Sequence, residues 1–272
     1  MKSNKILKTI LAGAIVATTS ISVFAAAPES TRNGCGLLPG YSQLKAALIQ
    51  AVADETSGIN LQMWGTIVDR DGVVCAVAFS GANRGEQWPG SRVISAQKAN
   101  TANAFSLDGL ALSTANLYSA AQGTSAATPM GGSLYGLQFS NPVDPAVAYG
   151  GNPADAGTRN DYMVGKRVGG VNVFGGGLGL YNKDERIVGG VGVSGDTSCA
   201  DHMIGWRVRH YLHLDNFGTS VGGVSGDPAR PDNMIIDGLN NPASSPANGI
   251  TDGFEQPSCL NTANPNTLPA VQ

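Results

Sequence analysis

The sequence predicts an α+β fold, an antiparallel sheet of about five strands with helices packed on it. Three observations carry that expectation. Two apolar runs, residues 61–68 and 73–79, flank Asp69-Arg70-Asp71-Gly72, whose Asp-Gly end is a strong hairpin signal. Segments with helical spacing stand before and after that pair. The coarse order is helix, two strands, two helices, three strands, helix, which is not the alternation of a parallel βαβ sheet.

The chain opens on a signal-peptide pattern over residues 1–25. Lys2, Lys5 and Lys8 make a basic start, residues 10–16 a short apolar core, and Val23-Phe24-Ala25 a cleavage site. The apolar run is shorter than the ~20 residues that a membrane span needs. The expected location is therefore periplasmic or extracellular, with no membrane span after cleavage. Cleavage would leave 14 basic and 20 acidic residues, a net charge of −6. That balance argues against nucleic acid, which rewards a basic face. Four cysteines, Cys35, Cys75, Cys199 and Cys259, would meet an oxidising compartment. Two disulfides are expected, with three pairings open and a buried free thiol at Cys75 as the alternative.

Residues 26–40 form a leader rich in small and turn residues. Leu44, Ala47, Leu48 and Ala51 recur at helical spacing, with Ser42 as a cap and Gly58 as the stop. Residues 73–79 read as almost continuously apolar, hence central or covered on both faces. After a Pro-Gly loop, a helix is expected from Ser91 to Phe105, and a weaker one over 113–121. Residues 133–139 read as a third strand. Residues 140–169, rich in Pro, Gly, Asn and Asp, read as an inserted loop, functional or mobile. A fourth strand is expected over 168–174, interrupted at Gly175-Gly176-Gly177 and extended over 178–181. Residues 186–194 read as the fifth, and the last helix runs from Thr197 or Ser198 to about Leu212. The tail, 214–272, is rich in Gly, Asn, Pro and Ser and is expected to wrap the surface or stay partly disordered.

Three segments then carry a family resemblance. Residues 66–74, TIVDRDGVV, are similar to a V-V-D-x-x-G-x-L-V hairpin. Residues 95–105, SAQKANTANAF, are similar to a K-A-x-T-A-x-x-F helix. Phe174-Gly-Gly, then IVGGVGVSG over 187–195 and Asp201, are similar to a Gly-Gly turn followed by G-A-I/V-G-V-S-G and an acidic residue opening a helix. Together, across about 41–213, they resemble the GlcG/HbpS family of haem-binding proteins, which is related to the C-terminal domain of PduO-type cobalamin adenosyltransferases. The chain departs from that pattern in its insertion, its tail, its cysteines, and Gly177 where the family usually has Pro. The resemblance implies a five-stranded antiparallel, profilin-like layout, a homo-oligomer, and binding of haem or a related tetrapyrrole.

The candidate site residues follow. Lys98 and Thr101, on one helix face, would offer an ammonium and a hydroxyl to a haem propionate; alternatively Lys98 reaches solvent and Thr101 bonds its own helix. Phe105, Gly175 and Gly176 would line the wall, or the glycines mark a bulge. The turn at Ser194-Gly195-Asp196 would present free backbone N–H groups to a ligand. Of the three histidines, His202, His210 and His213, His202 is the candidate iron ligand, with ordinary buried or surface histidine as the alternative. No zinc, calcium or P-loop pattern is present. Three functions compete: an exported, non-catalytic haem carrier or sensor; an enzyme on a small metabolite with His202 as base; and a structural oligomerising protein.

Overall fold

A computed structural model describes residues 34–122, 132–236, 239 and 253–272. The expected signal peptide and most of the leader lie outside the described residues. Helix α1 (Tyr41–Ala53) leads into strands β1 (Trp64–Asp69) and β2 (Val74–Phe79), followed by α2 (Ser91–Phe105) and two short helices, α3 (Tyr118–Gln122) and α4 (Pro145–Ala148). Strands β3 (Gly177–Tyr181) and β4 (Ile187–Ser194) then precede α5 (Ser198–Tyr211). The strands form one antiparallel sheet in the order β2-β1-β4-β3. The fold class is the expected one, with four strands among the described residues where about five were expected.

The sheet has a helix layer on each face. Alternation along β4 sends Val191 and Val193 to one side, where they join Ile67, Leu44 and Leu48 of α1, and Met203 and Trp206 of α5. The other side carries Trp64, Val68, Val77 and Phe79 against Val93, Ala96 and Ala99 of α2. Asp69 closes the β1–β2 hairpin by accepting hydrogen bonds from the Asp71 and Val73 amides.

One expected strand is absent and another survives only in its second part, 177–181, for separate reasons. Residues 133–139 form successive tight turns, with Tyr135 bonded back to Gly132 and Leu137 to Leu134, and Gly136 at φ 84°. Residues 168–174 are extended only in part. Gly169 and Gly170 take φ of 68° and 76°, which breaks the run. The segment is tied to α2 by side chains instead, with Asn172 N–H donating to Thr101 Oγ1 and Asn100 donating to the Gly170 carbonyl.

Helix ends also differ from the expected ones. Helix α1 starts after Gly40, whose N–H donates to the Gln43 side chain, so Ser42 lies inside it. It stops at Ala53, and Gly58 turns the following loop at φ 70°. Thr197 does cap α5, accepting from the Ala200 amide.

The tail is part of the core. Phe217, Met234, Ile235, Ile236 and Leu268 are buried, and Cys199–Cys259 joins the tail to the first turn of α5. Cys35–Cys75 joins the segment before α1 to β2, so Cys75 is not a free thiol. No helix among the described residues is long and apolar enough to cross a membrane.

Candidate functional site

The Lys-bearing helix and the last two strands do meet, and glycine decides how closely. Gly177 pairs with Gly192, and Gly179 with Gly190, across β3 and β4. These four glycines form a floor without side chains under α2. A Cβ on Gly192 would lie 2.0 Å from the Ser95 carbonyl, and one on Gly190 2.3 Å from that of Ala99. The glycines therefore admit a helix backbone to the sheet, not a flat ligand. Small residues on α2 complete the fit, and Thr66 Oγ1 reaches Ser95 Oγ at 2.7 Å.

Lys98 lies over the end of this floor, fully buried. Its Nζ is 2.6 Å from Asp201 Oδ2, 3.2 Å from the Val193 carbonyl, and 4.9 Å from the Phe174 ring centroid. Asp201 Oδ1 accepts the N–H groups of Gly195 and Asp196 at 3.0 and 2.9 Å. The amides of the Ser-Gly-Asp turn, expected to be free for a ligand, are thus taken by the acidic residue of the next helix. Burial pushes the Asp201 carboxyl up to about 6 against the pull of Lys98, and burial lowers Lys98 against the pull of Asp201. The motif contains Asp201 but not its pairing with Lys98; the signal for that pairing is an acidic residue just after a Gly-turned strand end.

The remaining candidates are equally engaged. Thr101 is buried; its Oγ1 donates to the Gln97 carbonyl at 2.7 Å and accepts from Asn172 N–H. Phe105, half-buried, packs with Leu117, Val171 and Val173. Gly175 N–H donates to the Gln256 side chain, and Gly176, at φ 118°, accepts from Val193 N–H. His202 is fully buried near Trp206, and its Nε2 accepts the Met234 amide at 3.2 Å. Burial, with help from Arg209 and against Asn233, lowers its pKa to about 3, so the ring is neutral. His210 Nδ1 pairs with Asp215 Oδ2 at 2.7 Å, and His213 is exposed past the end of α5.

Lys98, Thr101, Gly175, Gly176 and His202 are therefore neighbours, with Phe105 at the edge. In this conformation they offer haem neither an open face nor a free ligand: the one acceptor nitrogen of neutral His202 is occupied, and the Lys98 ammonium is paired. The same occupancy leaves His202 without the lone pair a general base requires. The one cluster of metal-type donors among the described residues, Cys35, Asp69 and Cys75, has both sulfurs in a disulfide.

A family profile for haem degrading protein HbpS-like matches residues 42–207. No curated protein matches the chain. Among solved structures, the Klebsiella pneumoniae protein ORFY is similar at 24% identity, over 63% of this chain and 86% of that one, with a TM-score of 0.41. A PduOC–haem complex is similar at 20% identity, over 62% and 89%, with a TM-score of 0.41. HbpS is similar at 16% identity, over 63% and 86%, with a TM-score of 0.32. From α1 to the middle of α5, the chain belongs to the HbpS-like family.

Proposed function

We propose that this protein is an exported, haem-binding member of its family, a carrier or sensor. The observation that supports the reading is the family match over residues 42–207, which takes in the hairpin, α2, the glycine floor and Asp201. The signal-peptide pattern and the two disulfides accord with export to an oxidising compartment. The family's own description favours one second reading, in which bound haem is broken down.

Hemin titration of the mature, disulfide-bonded protein tests both. A saturable Soret shift that persists is the expected result. A shift followed by loss of the band moves the reading to turnover, and no shift at micromolar hemin rejects haem binding. Contact of haem with Lys98 would require Asp201 to leave it, and contact with His202 Nε2 would require Met234 to leave that ring, while Thr101, Phe105, Gly175 and Gly176 would line the wall beside them. Under that proposal His202→Ala alters the Soret position; an unchanged spectrum removes His202 as the iron ligand.

A further inference from the structure

One open space among the described residues lies on the α2 side of the sheet, away from Lys98. A cavity of about 410 Å³ is lined by Trp64, Pro89, Tyr149, Pro153 and Ala156, with Arg84 and Arg92 at its edges. Small-molecule sites occupy about 300–1,000 Å³, mostly apolar with a few placed polar groups. Half of this lining comes from the 140–169 insertion, which the family motifs do not contain.

The walls are fixed. Arg92 holds Asp161 of the insertion through two hydrogen bonds and donates a third to the Ala148 carbonyl at 2.9 Å. Asp161 also accepts the Gly157 and Met163 amides. Gly157, at φ 71°, packs closely against Trp64 and Phe79, where a Cβ would come within 2.6 Å of both rings. Trp64 and Phe79 are themselves packed edge to face, 5.3 Å between centroids.

The two arginines differ in what they have left to give. Arg92 is committed to Asp161. Arg84 is exposed, its guanidinium donates to the Pro153 carbonyl across the cavity, and it has no carboxylate partner among the described residues. A guanidinium retains several donors in a planar fork after one such bond, matched to a carboxylate. The first turn of α2, which has no side-chain cap, adds positive potential from the Pro89 side. Tyr149 is exposed and contributes an aromatic wall.

We propose that this cavity binds a planar aromatic carboxylate, with the carboxylate on Arg84 and the ring plane against Tyr149. That chemistry has two sources: one propionate-bearing edge of haem, which rests on the function proposed above, or a free aromatic acid, which does not.

The full disulfide-bonded chain is titrated with hemin, with protoporphyrin IX dimethyl ester and with 2-naphthoate, alongside Arg84→Gln and Tyr149→Ala, whose melting temperatures are checked against the parent. Both positions are exposed, so folding is expected to survive. The expected result is at least tenfold weaker 2-naphthoate binding in each variant. If haem is the source, hemin weakens in both, and the ester, lacking a carboxylate, is insensitive to Arg84→Gln. If 2-naphthoate alone responds, a free acid is the source. Binding of 2-naphthoate without hemin keeps the cavity site and ends the haem reading. Binding of hemin with neither variant affecting any probe ends the cavity site and keeps the haem reading. Binding of no probe ends both.

Discussion

Lys98 and Asp201 show how a motif residue can be structural. Both are closed to solvent, so each is tolerable as an ion only because the other is there. Lys98→Met would leave a buried carboxylate holding two amides but no cation, and is expected to destabilise by about 3–5 kcal/mol in denaturant melts. His202 makes a second residue-scale prediction. Its folded pKa, about 3, lies below the unfolded value of 6.5. Between those pH values the unfolded chain carries a proton here that the folded chain does not, so stability rises with pH across that window. The contribution is fully present above pH 6.5 and is lost as pH falls toward 3, on the order of 5 kcal/mol in all. His202→Gln should flatten that part of the stability–pH curve; an unchanged slope would contradict the neutral, buried ring. Thr101 followed the ordinary alternative read from sequence, bonding its own helix. The sequence showed which residue types share a face of α2, but not that α2 lies face down on the sheet.

Elements were legible where periodicity and packing coincide. The helix over Ser91–Phe105, the 64–79 hairpin and the 187–194 strand each bury a face, so their patterns survive in the sequence. Residues 168–174 alternate convincingly, yet their partners are Thr101 and Asn100 side chains, which no period records. The glycine floor is the element that most constrains the fold. Gly192→Ala would drive a methyl into the α2 backbone at Ser95 and Ala99. Overpacking of this kind costs about 1–3 kcal/mol where neighbours can shift. Here the neighbours are helix backbone, so a loss at the top of that range, or no folded protein, is expected. A wild-type melt from Gly192→Ala would show that α2 does not sit as closely as described.

At the scale of the whole molecule, the tail adds a further layer over α5. Arg209 and Asp232 form a fully buried two-pronged pair, Trp206 Nε1 donates to the Pro269 carbonyl, and Cys199–Cys259 fixes the crossing. None of this was visible in composition, because the tail is held by scattered side-chain bonds and a covalent link, not by a repeating apolar face. The link closes 60 residues of sequence, for which the chain-entropy account gives about 4 kcal/mol. Cys259→Ser should lower stability by up to that amount and make residues 253–272 the first to be cleaved in limited proteolysis; an unchanged digestion pattern would mean that packing alone holds the tail.

The reading of the molecule as a haem protein rests on a family match, while its most prominent motif residues are engaged with one another. Hemin titration of the mature wild-type chain bears on that most directly. A saturable Soret shift at micromolar hemin is the predicted result. Failure of the wild-type protein to shift the band at all would contradict it.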